Sequence, residues 1–367
     1  MRFPDKVKGV IFDSVRRAAE VYEVYLVGGA VRDIVRGEFS TDLDFVVING
    51  SYEKFAQKLS KILKSHCVHF KDNIRIPFDS SYIDISAPRG ETIEQDLLKR
   101  DFTINNLAMS VDGELIGDPA DIIAKIITPV HDEIFDDDPL RILRGFRQAA
   151  NLDYTLSDRF LELAKLKLPL LPTIADERIN DELKKLSSKR SDHTIYCKMQ
   201  EMGVWQAVLG FTPNIDHLDK IFDIDCGDED RYALFLAALG GFPRGVSNYV
   251  ERCTNSLING LKAFREDGDL RRKVWEYRKN FEFLASFSHA MGVDMSASRV
   301  LYAQMVDIAL DGHDILQIAA RVAPELRRGR WFADILDECN FQLAFKILNS
   351  REEALIFAET EVKKICI

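Results

Sequence analysis

The sequence lacks the features of membrane proteins and of secreted proteins. It has no run of about 18 consecutive apolar residues, the length that a transmembrane helix needs. Its first residues contain no long apolar core of a secretion signal. Its 6 cysteines include no C-x-x-C pair, which indicates reduced thiols rather than a zinc site or a disulfide framework. We therefore expect a cytoplasmic protein without a membrane partner.

Negative charges outnumber positive ones. The formal net charge is -10, from 49 Lys and Arg against 59 Asp and Glu, and this balance argues against a protein that coats nucleic acid nonspecifically. A local basic face is compatible with it, because the attraction of a phosphate falls off within roughly 10 Å at moderate salt. Global charge therefore decides little about partners, and the composition leaves the oligomeric state open.

The 367 residues exceed the size of one hydrophobic core, so at least two packed units are expected. Hydrophobic periodicity predicts a small α/β domain over roughly the first 130 residues. Its predicted segments are helices over 8–22, 30–36 and 52–65, and strands at 25–27, 43–48, 66–70, 74–76 and 82–86. After Asp136, helical periodicity without an internal repeat predicts an all-helical remainder.

A glycine pair follows the first predicted strand. Gly28 and Gly29 let the backbone approach a ligand, and the helix that follows them offers free N–H groups to a phosphate. Arg32, one turn into that helix, is placed to add donors to the same triphosphate. A turn of this kind is also a common structural joint, so the pair by itself does not establish a nucleotide site.

Two acidic residues begin the next apolar strand. Asp42 and Asp44 are two positions apart, so on a strand both carboxylates lie on one face, toward the end of the sheet that carries the glycine pair. Like charges this close repel, and a shared cation relieves the repulsion; hard oxygen ligands favour Mg²⁺. We predict a magnesium site at Asp42 and Asp44. The alternative is that Asp42 caps a turn and Asp44 is simply exposed.

More polar residues follow the acidic pair. Asp84 lies in the apolar strand Tyr82–Ser86 and either completes a carboxylate cluster for two-metal phosphoryl transfer or is a surface residue of an edge strand. Arg100 is placed to reach a triphosphate, Asp101 to hold that arginine, and Asn105 to bond a sugar or phosphate oxygen. These positions extend the predicted nucleotide site beyond the first two strands.

The start of the helical part carries a row of arginines. Pro139 suits the first turn of a helix, and Asp138 lies next to its N-cap. Arg141, Arg144 and Arg147 follow at spacings of three residues and share one stripe of that helix. A surface stripe of arginine is usually solvated, but this one directly follows the acidic domain and is a candidate floor for a nucleotide.

Together these motifs resemble the bacterial (class II) tRNA nucleotidyltransferase and poly(A) polymerase family. The resemblance rests on four segments in the order and spacing of that family: GGAVRD at 28–33, DLD at 42–44, RDFTIN at 100–105 and DPLRILR at 138–144. No motif is matched between about 190 and 310. The four segments together are far more specific than any one of them.

The resemblance implies α/β plus all-α architecture, with a pol-β-like nucleotidyltransferase head at 1–136. A helical neck with the nucleotide-base template would follow at 137–195, a helical body at 196–310 and a tRNA-binding tail at 311–367. The implied activity is template-independent addition of CMP, AMP or both, from CTP and ATP, to the 3′ end of tRNA.

The resemblance also implies a role for each matched residue. Asp42 and Asp44 would bind Mg²⁺ and act in catalysis, with the role of Asp84 left open. Asp138 and Arg141 would read the Watson–Crick edge of the base, because a carboxylate accepts from an exocyclic amine and an arginine donates to ring or carbonyl acceptors. The full set of implied nucleotide-binding residues is Gly28, Gly29, Arg32, Arg100, Asn105, Asp138, Arg141, Arg144 and Arg147.

The sequence departs from the family pattern in two ways. Asp137, Asn106 and Gln148 stand where the family has glutamate, alanine and phenylalanine, and we expect tolerated packing changes there. Only Gly90-Glu91 stand where family members carry a longer flexible loop associated with the switch from adding C to adding A. The short loop favours a CC-adding enzyme. A-adding, CCA-adding and poly(A) polymerase activities, and a non-catalytic RNA-binding relative, are the alternatives.

Overall fold

A computed structural model of the chain describes residues 6–38, 40–79, 81–305, 310–327 and 329–365, with side chains from residue 9 onward. The chain divides into two units, Met1–Pro213 with Pro243–Val246, and Asn214–Phe242 with Ser247–Ile367. The first unit contains a mixed sheet, and the rest of the described chain is mostly helical. The predicted α/β head followed by helices is therefore confirmed.

The α/β part of the first unit follows the predicted order. Its elements are α1 (Lys6–Ala18), β1 (Val24–Val27), α2 (Gly29–Val35), β2 (Asp42–Val47), α3 (Tyr52–Leu63), β3 (Val68–His69), β4 (Asn73–Phe78), β5 (Ser81–Ser86), α4 (Ile93–Leu98), β6 (Ala108–Ser110), β7 (Leu115–Ile116), α5 (Ala120–Ala124), β8 (Ile126–Ile127) and α6 (Ile134–Asp137). The strands β6 to β8 were not predicted, because two or three residues are too few to show an alternating pattern.

Helices make up most of the remaining first unit. They are α7 (Leu140–Leu152), α8 (Asp158–Lys167), α9 (Asp176–Ser187), α10 (His193–Glu201) and α11 (Val204–Leu209). One short strand, β9 (Thr155–Leu156), pairs in parallel with β8. The prediction of an all-helical remainder is wrong at this strand.

The seven-stranded sheet has the order β3-β4-β5-β2-β1-β6-β7, and β2 and β5 pair in parallel. Alternation along β2 separates its two faces: Leu43 and Phe45 are buried, whereas Asp42 and Asp44 are exposed. Phe45 packs edge-on against Phe12 of α1, with ring centroids 6.0 Å apart. The hydrophobic face of the sheet therefore anchors β2, and the acidic pair lies on the opposite face.

The acidic face of the sheet is covered only in part. Val46, two residues beyond Asp44, packs with Ile93 and Leu97 of α4 in one apolar cluster. This cluster covers the end of β2 that follows the acidic pair. The carboxylates of Asp42 and Asp44 remain accessible to a ligand.

Helix α7 is held against the rest of the first unit by a tight aromatic contact at Gly145. A Cβ atom built there would lie 2.2 Å from Phe160 Cε2 and 3.1 Å from Phe102 Cζ. Phe160 is fully buried and its ring centroid is 5.3 Å from that of Phe135 and 5.7 Å from that of Phe146. Glycine in a helix interior costs about 1 kcal/mol relative to alanine, so close packing of α7 explains its presence.

We predict that Gly145→Ala lowers the free energy of unfolding by about 1–3 kcal/mol, because the buried ring of Phe160 must move to admit the methyl group. The matched control is Gly9→Ala in α1, where a Cβ meets nothing within 4 Å. That variant should stabilise the protein by roughly 0.5–1 kcal/mol. Urea unfolding curves measure both changes, and a neutral Gly145→Ala would contradict the packing argument.

The second unit consists of helices. They are α12 (Asp228–Leu239), α13 (Asn248–Arg265), α14 (Leu270–Glu276), α15 (Phe281–Ala290), α16 (Ser296–Ala303), α17 (Gly312–Val322), α18 (Arg330–Ala344) and α19 (Arg351–Ile365). The last three surround a core that includes Ile315, Cys339 and Ala358. In the described ranges, no helix combines the length and the apolar composition needed to cross a bilayer.

Candidate active site

A cavity of about 530 Å³ opens in the first unit beside the acidic end of β2. All the predicted nucleotide-binding residues line it, together with Asp44; Asp42 and Asp84 do not. Its lining is Gly28, Gly29, Arg32, Asp44, Arg89, Arg100, Asp101, Asn105, Asp138, Arg141, Arg144, Arg147, Gln148, Asn151 and Leu152. Arginines outnumber carboxylates here, so the cavity is locally basic in an acidic protein and suits a polyanion such as a triphosphate.

The glycine turn is shaped by the arginine that lies on it. Gly28 has φ 70°, a backbone conformation that favours glycine, and a Cβ there would lie 2.9 Å from Nη1 of Arg100, which would have to shift. Asp96 orients Arg100, since its Oδ2 accepts from Nη2 at 2.8 Å, and its Oδ1 accepts from the backbone N–H of Arg89 at 2.9 Å. The prediction that Asp101 holds Arg100 is therefore wrong; Asp96, one helical turn earlier, does so.

The surroundings of Asp44 disfavour its charged form. Desolvation by surrounding protein and the charges of Asp84 and Asp42 raise the pKa of Asp44, whereas Arg100 opposes that rise. In the register of the sheet, Asp44 lies beside Val27 on one side and beside Asp84 on the other. Uncompensated oxygen donors on one face, next to a cavity, fit a divalent cation.

Asp84 is held by an arginine. Its carboxylate accepts from Nε of Arg75 at 2.9 Å and from Nη2 at 2.7 Å, a two-point ion pair. Strand β5 lies between β4 and β2, so Asp84 is not on an edge strand. In the part of the chain that the structure describes, no three His, Cys, Asp or Glu side chains gather as a metal-ligand group. Asp84 is instead positioned by Arg75 next to the acidic pair.

A buried polar network connects the glycine turn with α7. Oδ1 of Asn105 accepts from Nη1 of Arg32 at 3.0 Å, and its Nδ2 donates to Asp101 and to Gln148, both at 2.9 Å. Asp101 in turn accepts from Nη2 of Arg144 at 2.9 Å. Asn105 thus orients Arg32 through its Oδ1, while its Nδ2 is anchored by Asp101 and Gln148. Gln148 is buried and hydrogen-bonded within the site, so the expectation of a simple packing change there is wrong.

The ionisation of Asp101 is secured by the same network. Burial by itself disfavours the charged carboxylate, but the charge of Arg144 and the hydrogen bond from Asn105 outweigh it and hold the pKa of Asp101 below its usual range. For Arg144, burial acts against the charged form, yet Asp101 and Glu182 raise its pKa. The centre of the site is therefore a charged, preorganised network rather than a set of independent surface arginines.

The two predicted base-reading residues are also fixed in place. Oδ2 of Asp138 accepts from Nη2 of Arg178 at 2.6 Å, and its Oδ1 accepts from the backbone N–H of Leu140 at 3.2 Å. Arg141 donates to the backbone carbonyl oxygens of Ile134 and Lys99. Arg178, on α9, carries no motif and was missed by sequence reasoning. Its position reflects the packing of α9 on α7.

This arrangement defines a class of enzyme. The site combines paired strand carboxylates, a glycine turn and an arginine-lined cavity bounded by Asp138 and by α7 with Arg141, an arrangement that fits a polymerase-β-like nucleotidyltransferase. Comparisons with known proteins agree with this class. Residues 24–91 match the poly A polymerase head domain.

Curated relatives cover most of the chain. An A-adding tRNA nucleotidyltransferase of Halalkalibacterium halodurans is 26% identical over 91% of this chain and 88% of that protein. A CC-adding tRNA nucleotidyltransferase of Shouchella clausii is 26% identical over 94% of this chain and 96% of its own length. Among solved structures, the Bacillus stearothermophilus CCA-adding enzyme in complex with CTP has a TM-score of 0.74 at 18% identity, covering 100% of this chain and 99% of that one.

The Thermotoga maritima CCA-adding enzyme complexed with tRNA has a TM-score of 0.71 at 20% identity, and covers 98% of this chain and 97% of that one. At such identities the structural likeness shows the fold. The head-domain match and the sequence relatives confirm the predicted resemblance: over most of its length the chain is similar to tRNA nucleotidyltransferases. Nucleotidyltransferases of this family generally use a divalent metal ion.

Proposed function

We propose that this protein adds CMP, AMP or both, from CTP and ATP, to the 3′ end of tRNA without a nucleic-acid template. The observation that carries the proposal is that Arg32 and Arg100 line the same cavity as Asp138, which lies just before α7, and Arg141, which lies on α7. The first pair suits a triphosphate and the second suits a base edge. Addition of a chosen nucleotide without a template requires that protein side chains recognise the base, next to a site that binds the triphosphate.

The residues of the cavity then have distinct tasks. Arg100 and Arg32 hold the triphosphate and neutralise charge on the departing pyrophosphate, each kept in place by its carboxylate or amide partner. Asp138 accepts a hydrogen bond from the exocyclic amine that cytosine and adenine share, and Arg141 donates to the acceptors of the same edge. Arg144 and Arg147 support this wall through Asp101 and Glu182.

The reaction is an in-line displacement at the α-phosphorus. The 3′-oxygen of the RNA forms the new bond to phosphorus, and the bond to the bridging oxygen of pyrophosphate breaks. Bound by Asp42 and Asp44, Mg²⁺ would supply Lewis-acid activation of the hydroxyl and charge neutralisation on the leaving group. Arg75 keeps Asp84 oriented beside this pair.

With this function, the parts of the chain would have the tasks that the family resemblance implies. Residues 1–136 would form the catalytic head and 137–195 the neck that reads the base. Residues 196–310 and 311–367 would form the body and tail that hold tRNA. The proposed place of action is the cytoplasm, which the absence of a C-x-x-C pair or disulfide framework among the cysteines favours.

Among the activities of the family, we propose CC addition for this protein. Only Gly90-Glu91 join the segment after β5 to α4, and the backbone N–H of Glu91 donates to Oε1 of Gln95 at 2.8 Å, which fastens the short connection to α4. A fastened connection has little freedom to rearrange between one nucleotide and the next. Relatives named A-adding, CC-adding and CCA-adding are all similar to this chain, so they do not separate these activities.

Labelled nucleotides separate the candidate activities. We predict that tRNA ending before CCA gains two residues from labelled CTP, and that tRNA ending in CC gains nothing from labelled ATP. Strong AMP incorporation onto tRNA-CC contradicts CC-only addition and indicates an A-adding or CCA-adding enzyme. Long AMP tails on any RNA indicate a poly(A) polymerase. If neither nucleotide is incorporated while tRNA still binds, the protein is a non-catalytic relative and the proposed function is wrong.

A further inference from the structure

The in-line geometry of the proposed function determines the side from which the RNA end must approach. Attacking and leaving oxygens lie on opposite sides of the α-phosphorus. The pyrophosphate-binding groups, the Gly28 turn and Arg100, lie on the side of β2 where β1 pairs with it. The 3′-hydroxyl must therefore arrive from the other side of the acidic pair, over β5 and β4.

An aromatic surface lies in that place. Tyr82 of β5 is the register partner of Asp42 and shares its face of the sheet, and 46% of the Tyr82 residue surface is exposed. Phe70, in the turn between β3 and β4, is 53% exposed. The guanidinium carbon of Arg75 lies 4.9 Å from the ring centroid of Tyr82 and 5.6 Å from that of Phe70. The two rings thus flank one arginine next to the catalytic face.

The arginine that joins the two rings is itself immobilised. Asp84 holds Arg75 by a two-point ion pair, so Tyr82 and Phe70 contact a guanidinium of fixed orientation. The opposite face of these strands is filled by Ile74, Ile76, Ile83 and Ile85, all buried. Tyr82 and Phe70 are therefore not needed to complete that core, and their exposed ring surface is available to an aromatic ligand.

We propose that Tyr82 and Phe70 form a stacking platform for the 3′-terminal base of the RNA substrate. Stacking on an aromatic side chain accepts any base, because every base presents a π face. That tolerance suits untemplated extension, in which the terminal base changes after each addition. The platform holds the terminal nucleotide over β5 and β4, so that its 3′-hydroxyl faces Asp42 and Asp44. This inference rests on the proposed function and adds the binding site of the second substrate.

The test uses the full-length protein and a tRNA that ends before CCA and carries 2-aminopurine as its terminal base. At saturating protein, wild type should quench the fluorescence of the stacked 2-aminopurine, and Tyr82→Ala and Phe70→Ala should each relieve the quenching. Tyr82→Ala should raise KM for tRNA about fivefold or more, with KM for CTP unchanged. Tyr82→Phe keeps the ring and should behave as wild type.

Ile123→Ala, which removes an exposed apolar side chain of the same unit (76% exposed), is the control and should change neither readout. Quenching and KM for tRNA that stay at wild-type values in both Tyr82→Ala and Phe70→Ala overturn the platform. A change in unfolding temperature alone, without either effect, also overturns it. Wild-type protein that quenches but adds no nucleotide contradicts the proposed function and leaves the platform supported, so the two failures are distinguishable.

Discussion

Replacement of Asp44 by asparagine should lower kcat for nucleotide incorporation by about 10³-fold or more, with tRNA affinity nearly intact. The proposed metal ion stabilises transition-state charge by several kcal/mol, and each 1.36 kcal/mol corresponds to a factor of ten in rate. Asp42→Asn should have the same effect, because both carboxylates extend from one face of β2. Single-turnover incorporation of labelled CMP measures the rate, and filter binding measures the tRNA affinity.

The same substitution should not weaken the fold. Burial, and then the charges of Asp84 and Asp42, raise the pKa of Asp44, so its ionised form is disfavoured in the folded protein. Asparagine keeps the shape and removes one of the like charges. We therefore expect the unfolding temperature of Asp44→Asn to equal or exceed that of wild type. Loss of activity together with unchanged stability separates a catalytic role from a structural one.

Asp112→Asn is the matched control, since Asp112 lies in the turn after β6 and its side chain is 83% exposed. It should leave turnover and stability unchanged. Binding of Mn²⁺, followed by electron paramagnetic resonance, gives a readout independent of turnover and should weaken in Asp42→Asn and Asp44→Asn only. If Asp44→Asn retains the wild-type rate, the assignment of the metal site is wrong.

Sequence reasoning worked best where a function depends on local spacing. Two carboxylates at i and i+2 on a strand must share a face, and arginines at i and i+3 on a helix must share a stripe. These rules placed Asp42 with Asp44, and Arg141 with Arg144. Strands β2 and β5 were predicted for the same reason, because both have clear alternation.

Ion pairs and hydrogen bonds between distant segments of the chain could not be predicted from the local spacing of residues. Arg100 pairs with Asp96, four residues earlier, whereas its neighbour in sequence, Asp101, pairs with Arg144, 43 positions away. From the sequence alone, Asp96 and Asp101 are both close enough to pair with Arg100. Only the path of the chain after α4 decides which of them does. Arg178 and Gln148 were missed on the same ground: each acquires its role from helix packing that brings it to the cavity.

The second large effect is expected at Asp101, where asparagine should lower the free energy of unfolding by roughly 1.5–3 kcal/mol, because the buried carboxylate gives up its charge-assisted hydrogen bonds. The Asp101 side chain is 8% exposed and that of Arg144 38%. After the substitution Arg144 retains Glu182, whose Oε1 lies 3.7 Å from Nη1. Asn105 also loses an anchor, so Arg32 loosens and KM for the nucleotide should rise. Urea unfolding and steady-state kinetics measure the two effects.

The control for Asp101→Asn is Asp132→Asn, which removes an equally close ion pair at the surface. Asp132 accepts from Arg159 at 2.6 Å, but its side chain is 64% exposed, and exposed pairs contribute less than about 1 kcal/mol. Equal losses in the two variants would show that burial of Asp101 is not what makes its ion pair strong.

The pH dependence gives Asp101 a distinct signature. Its pKa is depressed in the folded protein, so its stabilisation is present above the ordinary value of about 3.9 and is lost as the pH falls through the folded-state value. The difference in unfolding free energy between wild type and Asp101→Asn should therefore stay constant from about pH 7 to 5 and shrink below about pH 4. A difference that grows on acidification would mean that Asp101 is protonated in the folded protein, and the charged network at the centre of the site would then be wrong.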